Sequence, residues 1–273
     1  MGISPIEYRP WKGQRTAQTL RFYVVARNVL MHKLRSKGVI VILVLGFLLV
    51  HAISLIMIVL LSHERLEGDD MNSYLGGGMF ATFAMLLAAV VTSDLVSEDL
   101  SNNSFVLYFS RALRIRDYLA GKAGGALAVM SFLCLFPPIA LAVVSMATQT
   151  GDDYLYSAGV LGKTALVGLL VTVFFVPFGL MMSSLTKRKS YAAIGTFMSF
   201  FVLTLVAEIF SEFAEEWRMI SPLESLSFLF DWIYEGSLPY FVDGGALTLI
   251  LTSFVIAPAV VVYIRIQRQE VGK

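Results

Sequence analysis

Residues 165–185, ALVGLLVTVFFVPFGLMMSSL, are followed by TKRKS at 186–190 and by YAAIGTFMSFFVLTLVA at 191–207, and the reading of this stretch decides the fold. Each apolar run falls in the range of about 17 to 25 residues that carries an α-helix across a hydrocarbon core of about 30 Å. Between them stand Lys187, Arg188 and Lys189, cations too costly to leave at mid-membrane. The stretch reads as a pair of antiparallel membrane helices joined by a tight basic turn. Working outward, the same search finds Val39–Leu61, Leu75–Val91, Ala126–Met146 and Ala246–Ile264. The chain is 57% hydrophobic and 15% charged, with a mean hydropathy of +0.73. Ordinary globular domains are only about half apolar. The expected fold class is all-α: a polytopic membrane protein, six transmembrane helices forming one domain over residues 1–273. The first run begins only at Val39, behind a basic segment, and reads as a retained helix rather than a leader.

Orientation follows from the loops, because cytoplasmic connections hold an excess of Lys and Arg. Of the 21 basic residues, all but Arg65, Lys163 and Arg218 lie before the first run, between the second and third, in the 186–190 turn or after the last run. The other connections carry Glu64, Glu67, Asp69, Asp70, Asp152, Asp153, Glu212, Glu215 and Glu216. A multi-pass protein of the cell membrane with both termini cytoplasmic is expected.

Flanking segments add detail. Residues 1–38 form a basic interfacial segment, and over 20–35 a 100° period gathers Arg21, Asn28, His32 and Arg35 on one stripe, with Phe22, Val25, Ala26, Val29 and Leu30 mostly elsewhere. That pattern suits an amphipathic helix on the inner membrane face. Arg27 and Lys33 depart from the stripe, so each must snorkel to headgroups or meet a partner. The outer loop, 210–245, holds Ser221-Pro222-Leu223-Glu224, a capping box with proline at the first helical position. A helix should begin there, end near Gly236, and rest with short neighbours in the outer leaflet.

Several chemistries are excluded. A net charge of +1 offers nothing to nucleic acid. The single Cys134 lies in an apolar run without companions for a disulfide or a metal. His32, His51 and His63 stand far apart, so no metal site is expected. Asp69-Asp70 and Asp152-Asp153 have nothing nearby to complete a coordination shell. Gly162-Lys163-Thr164 mimics the end of a phosphate-binding loop, yet Ser157 stands where the first glycine belongs, so a loop-to-helix connection is expected instead. His51 is the intramembrane polar candidate: a functional group by default, or a neutral histidine bonded to a neighbouring helix. Pro137-Pro138, Pro177 and Pro258 should kink their spans. No nucleotide-binding or catalytic constellation appears, so the chain is not expected to be an enzyme.

The segment 92–123 is the least generic. It reads Asp94-Leu-Val-Ser-Glu98-Asp99-Leu-Ser-Asn-Asn-Ser104-Phe-Val-Leu-Tyr108-Phe-Ser110-Arg111-Ala112-Leu-Arg114-Ile-Arg116-Asp117-Tyr118-Leu-Ala-Gly121-Lys122. This resembles the cytoplasmic segment of type-2 ATP-binding-cassette (ABC-2) transporter permease subunits, where an acid after the second span precedes a polar stretch, a Leu-x-x-Ser-Arg-Pro-like element, basic residues and Gly-Lys. Ala112 stands where those permeases have proline. The wording is most similar to copper-enzyme-maturation-type permeases. The likeness extends to the N-terminal helix, the span number and the long outer loop.

That resemblance implies the permease half of an ATP-driven exporter. Glu98 and Asp99 would open a coupling region, and Phe105, Leu107, Tyr108 and Phe109 would enter a groove on a separate cytoplasmic ABC ATPase. Ser110, Arg111, Arg114, Arg116, Asp117 and Lys122 would hold the segment against headgroups or partner acids. No cofactor would be bound by this chain, since ATP and magnesium would sit in the ATPase. A second permease copy, identical or related, and membrane lipids complete the expected partners. The rival readings are a membrane scaffold or sensor subunit without transport, and an ion channel. A channel should carry a polar stripe along a span, and none of the six does. Thr92, Ser93, Ser199 and Thr204 are the polar points of an otherwise apolar pathway.

Overall fold

The computed structural model describes residues 20–54, 56, 68–76, 78–109, 113–147 and 151–271. Helix α1 (Arg21–Lys33) turns by 76° into α2 (Lys37–Gly46), which continues as a π-turn over Phe47–Ala52. The elbow falls at Ser36, whose extended backbone interrupts the helical path amid Lys33, Arg35 and Lys37. Then come α3 (Gly68–Gly76), α4 (Gly78–Thr92), α5 (Ser97–Ser101) and α6 (Phe105–Phe109). They are followed by α7 (Ile115–Cys134), α8 (Phe136–Ala147), α9 (Asp152–Leu185) and α10 (Lys189–Ser211). A 3₁₀ turn (Glu215–Ile220), α11 (Pro222–Tyr234) and α12 (Gly244–Val271) complete the chain. No strand occurs among the described residues.

Among the described residues, Gly78–Ser101, Asp153–Leu185, Lys189–Ser211 and Gly244–Gln269 are each long and apolar enough to cross a membrane. The bent pairs α1 with α2 and α7 with α8 also pass when each is taken as one, so the bundle has four to six spans. The outer part of the first expected run, 57–61, lies outside the described residues. The turn between α9 and α10 is as tight as the basic pentapeptide requires.

Boundaries moved where local chemistry overrides hydropathy. The expected second run takes in the end of α3, with Leu75, and most of α4, and position 77 lies outside the described residues. The third span starts at Ile115, since its amphiphilic first turns pack inside the bundle although their hydropathy is low. It bends by 41° at Leu135, where Pro137 and Pro138 deprive successive carbonyls of their N–H partners. Pro177 and Pro258, by contrast, lie within helices that run on unbroken, so a lone proline does not divide these spans. Gly162-Lys163-Thr164 is not a loop-to-helix connection: it lies well inside α9. At 1.5 Å per residue, this 34-residue helix is about 51 Å long and overshoots the hydrocarbon core. Its projecting turns bind α11, with Lys163 Nζ donating to the Tyr234 carbonyl (2.8 Å) and Tyr234 Oη donating to Thr164 (2.8 Å).

Helix α11 begins as the capping box dictates. Ser221 Oγ accepts the Glu224 N–H at 3.3 Å, Pro222 occupies the first turn, and Gly236, at φ 76°, follows the helix end. Leu226, Phe228 and Phe230 are buried against α3, α9, α10 and α12, so α11 closes the acidic end of the bundle. The core beneath is apolar and aromatic. Phe200 of α10 lies 5.2 Å from the ring of Phe175 and 4.6 Å from that of Phe178, both on α9.

Candidate functional site

The segment that joins α4 to α7 extends the span through α5 to Ser101 and then folds back onto the basic end of the bundle through α6. After Thr92 the chain makes a loose turn, forms α5, turns again through Asn103 in the left-handed region (φ 52°), and forms α6. Asn tolerates that conformation better than most side chains.

Helix α7 offers the platform on which this end is assembled. A Cβ placed on Gly121 would lie 2.5 Å from Val25 Cβ and 2.8 Å from the Phe22 carbonyl oxygen. One placed on Gly125 would meet Val29 Cβ and the Ala26 carbonyl oxygen at the same separations. Glycine four residues apart lets two backbones approach this closely, and here the pair seats α1 along α7. Lys33, at the end of the seated helix, is 2% exposed. It pairs with Asp94 just after α4 and reaches toward the Val90 carbonyl at 3.4 Å.

A second buried charge pair lies beside the first. Asp99 of α5 accepts from Tyr118 Oη at 2.6 Å and from Tyr108 Oη at 3.3 Å, and its Oδ2 lies 2.9 Å from Lys122 Nζ. Lys122 also stands 5.4 Å from the centre of the Tyr118 ring. Burial, reinforced by the Asp99 carboxylate, raises the Tyr108 phenol above its ordinary range, so it remains a donor. Phe105 packs edge-on against Tyr118 at 5.6 Å. The elbow, the end of α4, α5, α6 and the start of α7 thus share one polar joint whose charges are each paired.

This arrangement divides the expected site residues. Asp99, Phe105, Tyr108 and Lys122 build the joint, and Phe105, at 5% exposure, is an interior residue rather than part of an open docking face. Glu98, Leu107, Arg114 and Arg116 are exposed, with Leu107 at 65%, and Asp117 is half-buried. The Phe109 side chain, Ser110 and Arg111 lie outside the described residues. Lys33, Asp94, Tyr118 and Gly125 were not among the expected site residues. Signals for the first and last were legible: Lys33 breaks the amphipathic stripe, and Gly121-x-x-x-Gly125 has the spacing of a helix-packing seam.

His51 lies elsewhere, in the π-turn that follows α2. It is buried, its Nδ1 is hydrogen-bonded to Tyr74 Oη of α3, and Phe47 and Phe80 pack around its ring at 6.0 and 6.2 Å. The bonded-histidine reading therefore has its partner helix. Of the polar points expected along a pathway, Thr92 donates to the Ala88 carbonyl (2.7 Å) and Thr204 to the Phe200 carbonyl (3.0 Å), both within their own helices. Among the described residues no group of His, Cys, Asp and Glu is placed to hold a metal ion.

The family model for ABC-2 family transporter proteins matches residues 23–271, nearly the whole chain. No curated relative matches the chain. The matched region takes in the elbow, every span and the folded-back segment with its charged joint, and the chain therefore belongs to the ABC-2 family of transporter proteins, as a multi-pass membrane permease subunit of an ABC transporter.

Proposed function

We propose that this permease subunit works with a separate ATPase that it engages through the exposed face of the segment between α4 and α7, and that ATP hydrolysis there drives substrate outward. The observation that carries the reading is the polar joint. Two buried ion pairs and two tyrosines fasten the segment to α1, α4 and α7 at once, while Glu98, Leu107, Arg114 and Arg116 are left on the surface. A push on that face is a push on the elbow and on spans two and three together. An exposed apolar side chain on a segment that also exposes charges of both signs suits a protein partner. The basic end then faces the cytoplasm, the compartment of ATP, and both chain ends with it. Outward direction rests on the family resemblance.

A second permease copy is part of the same reading. One cavity in the bundle, bounded by Leu75, Phe80, Val171, Phe175, Leu223 and Phe230, measures about 20 Å³, room for a water molecule at most. In the spans of α10 and α12 only 17% of the residues of the apolar stretch are buried within the chain. A pathway between two copies uses such surfaces where a pathway within one does not. Arg27, exposed beside Tyr23, Val24 and Met31, is suited to lipid headgroups.

The test is to purify the chain from its native membrane with its partners and follow ATP hydrolysis and transport. ATP and magnesium belong to the ATPase. Glu98→Ala and Arg111→Glu should insert normally, retain the partner's ATPase sites and lose the coupling of hydrolysis to transport. Normal coupling in both variants would remove these residue assignments, and a chain that brings down no ATPase would favour the scaffold reading.

A further inference from the structure

Between α4 and α5 the helical ladder is interrupted in an unusual way. Leu95 N–H bonds to the Thr92 carbonyl at 3.2 Å, a tightened turn, and Glu98 N–H resumes the regular pattern on the Asp94 carbonyl at 3.2 Å. Two amides in between, those of Val96 and Ser97, would find the carbonyls of Thr92 and Ser93 in a regular helix. Here both donate to one side-chain oxygen from another span, Ser183 Oγ of α9, at 3.1 and 3.0 Å. The same hydroxyl donates to the Ser93 carbonyl at 3.0 Å. One donor and two acceptor positions exhaust what a serine hydroxyl can do. Ser183 is fully buried, and its hydroxyl stands inside the backbone of another helix in place of one helical turn.

One turn earlier on the same face of α9 is Gly179, where an added Cβ would run into the Thr92 side chain. Gly179 and Ser183 therefore bring α9 and the end of α4 to close approach at the point where α4 gives way to α5. A side chain inserted into the main-chain ladder is a recognised cause of helix bending. The Thr92 and Ser93 carbonyls are the intrahelical acceptors to which the two amides would pass if the hydroxyl left.

We propose that Ser183 is the positioning residue for coupling. Its hydroxyl is the fulcrum about which α5 and α6 rotate relative to α4, and exchange of its bonds for the intrahelical ones lets ATPase motion reach the spans. This rests on the coupling function proposed above, and the experiment separates the two. In the purified complex, spin labels replace Met79 and Leu249, exposed residues toward the acidic end, and the distance between them is measured without nucleotide and with ATP trapped by vanadate. Cys134 is fully buried and does not compete for label. The native complex should show a nucleotide-dependent distance change. Ser183→Ala should lose it while the partner still hydrolyses ATP, and Ser183→Thr, which keeps a hydroxyl, should restore it. Ser184→Ala, which removes a neighbouring hydroxyl that donates to the Met181 carbonyl of its own helix, should leave it intact. A change of native size in Ser183→Ala overturns the fulcrum and leaves the coupling function standing. No change in the native complex overturns both. The native complex alone supplies a check independent of any variant's folding. Exchange of the Val96 and Ser97 amides should quicken on the order of tenfold during turnover, and equal protection in both nucleotide states would overturn the proposal.

Discussion

Lys33 and Asp94 hold opposite charges where little water reaches them, with side-chain exposures of 2% and 20%. Removing one partner of such a pair leaves an uncompensated buried charge, at a cost of about 3–5 kcal/mol, whereas replacing both with apolar groups of similar volume is often close to neutral. Lys33→Met and Asp94→Leu are each expected to lower the thermal midpoint in detergent markedly, and the double variant to recover most of the loss. Equal, additive losses would show that the pair does not interact energetically. The Tyr118 hydroxyl is placed differently, as one of three donors to Asp99. Tyr118→Phe should cost about 1.5–3 kcal/mol, the range for a hydrogen bond to a charged group, read from denaturant or thermal unfolding of the purified chain.

Elements are fastened here by small residues and hydroxyls more than by bulk. The α1–α7 seam depends on Gly121 and Gly125, where no side chain fits against Val25, Val29 and their neighbouring carbonyls. Gly125→Leu should lift α1 from its seat without unfolding the spans. Trypsin cleavage after Arg27 would then quicken severalfold while the far-ultraviolet helix signal is kept, and unchanged cleavage would contradict the seam. At the other end, Ser221→Ala removes both the α11 cap and a 3.1 Å contact with Thr204, a loss of about 1 kcal/mol. Much at this scale was legible beforehand. Apolar run length located the four unbroken spans, the basic pentapeptide located a turn, and Ser-Pro-x-Glu located α11. What was not legible has a common cause. Phe105 reads as an exposed loop aromatic until Tyr118, 13 positions on in the chain, is seen beneath it. Lys33 advertised a missing partner without naming Asp94, and Ser183 meets Ser97 across a separation of 86 residues. Periodicity reports which face of a helix is apolar, and it is silent on which other helix that face will meet.

At the scale of the whole molecule, the bundle has two unlike ends. The acidic end is closed by α11 and the projecting turns of α9, held by Lys163 and Tyr234. The basic end is a jointed platform of short elements that holds the Lys33–Asp94 and Lys122–Asp99 pairs. A rigid cap opposite a jointed base is suited to turning motion received at the base into rearrangement of the spans between them. The claim at the centre of this account is that the exposed face of that base, around Leu107, is where an ATPase docks. A photo-reactive amino acid at Leu107, illuminated in native membranes, tests it most directly, with the adduct identified by mass spectrometry. A stoichiometric adduct to a soluble protein bearing a nucleotide-binding Walker A motif is expected. Adducts to lipid alone, or to proteins without such a motif, would contradict it.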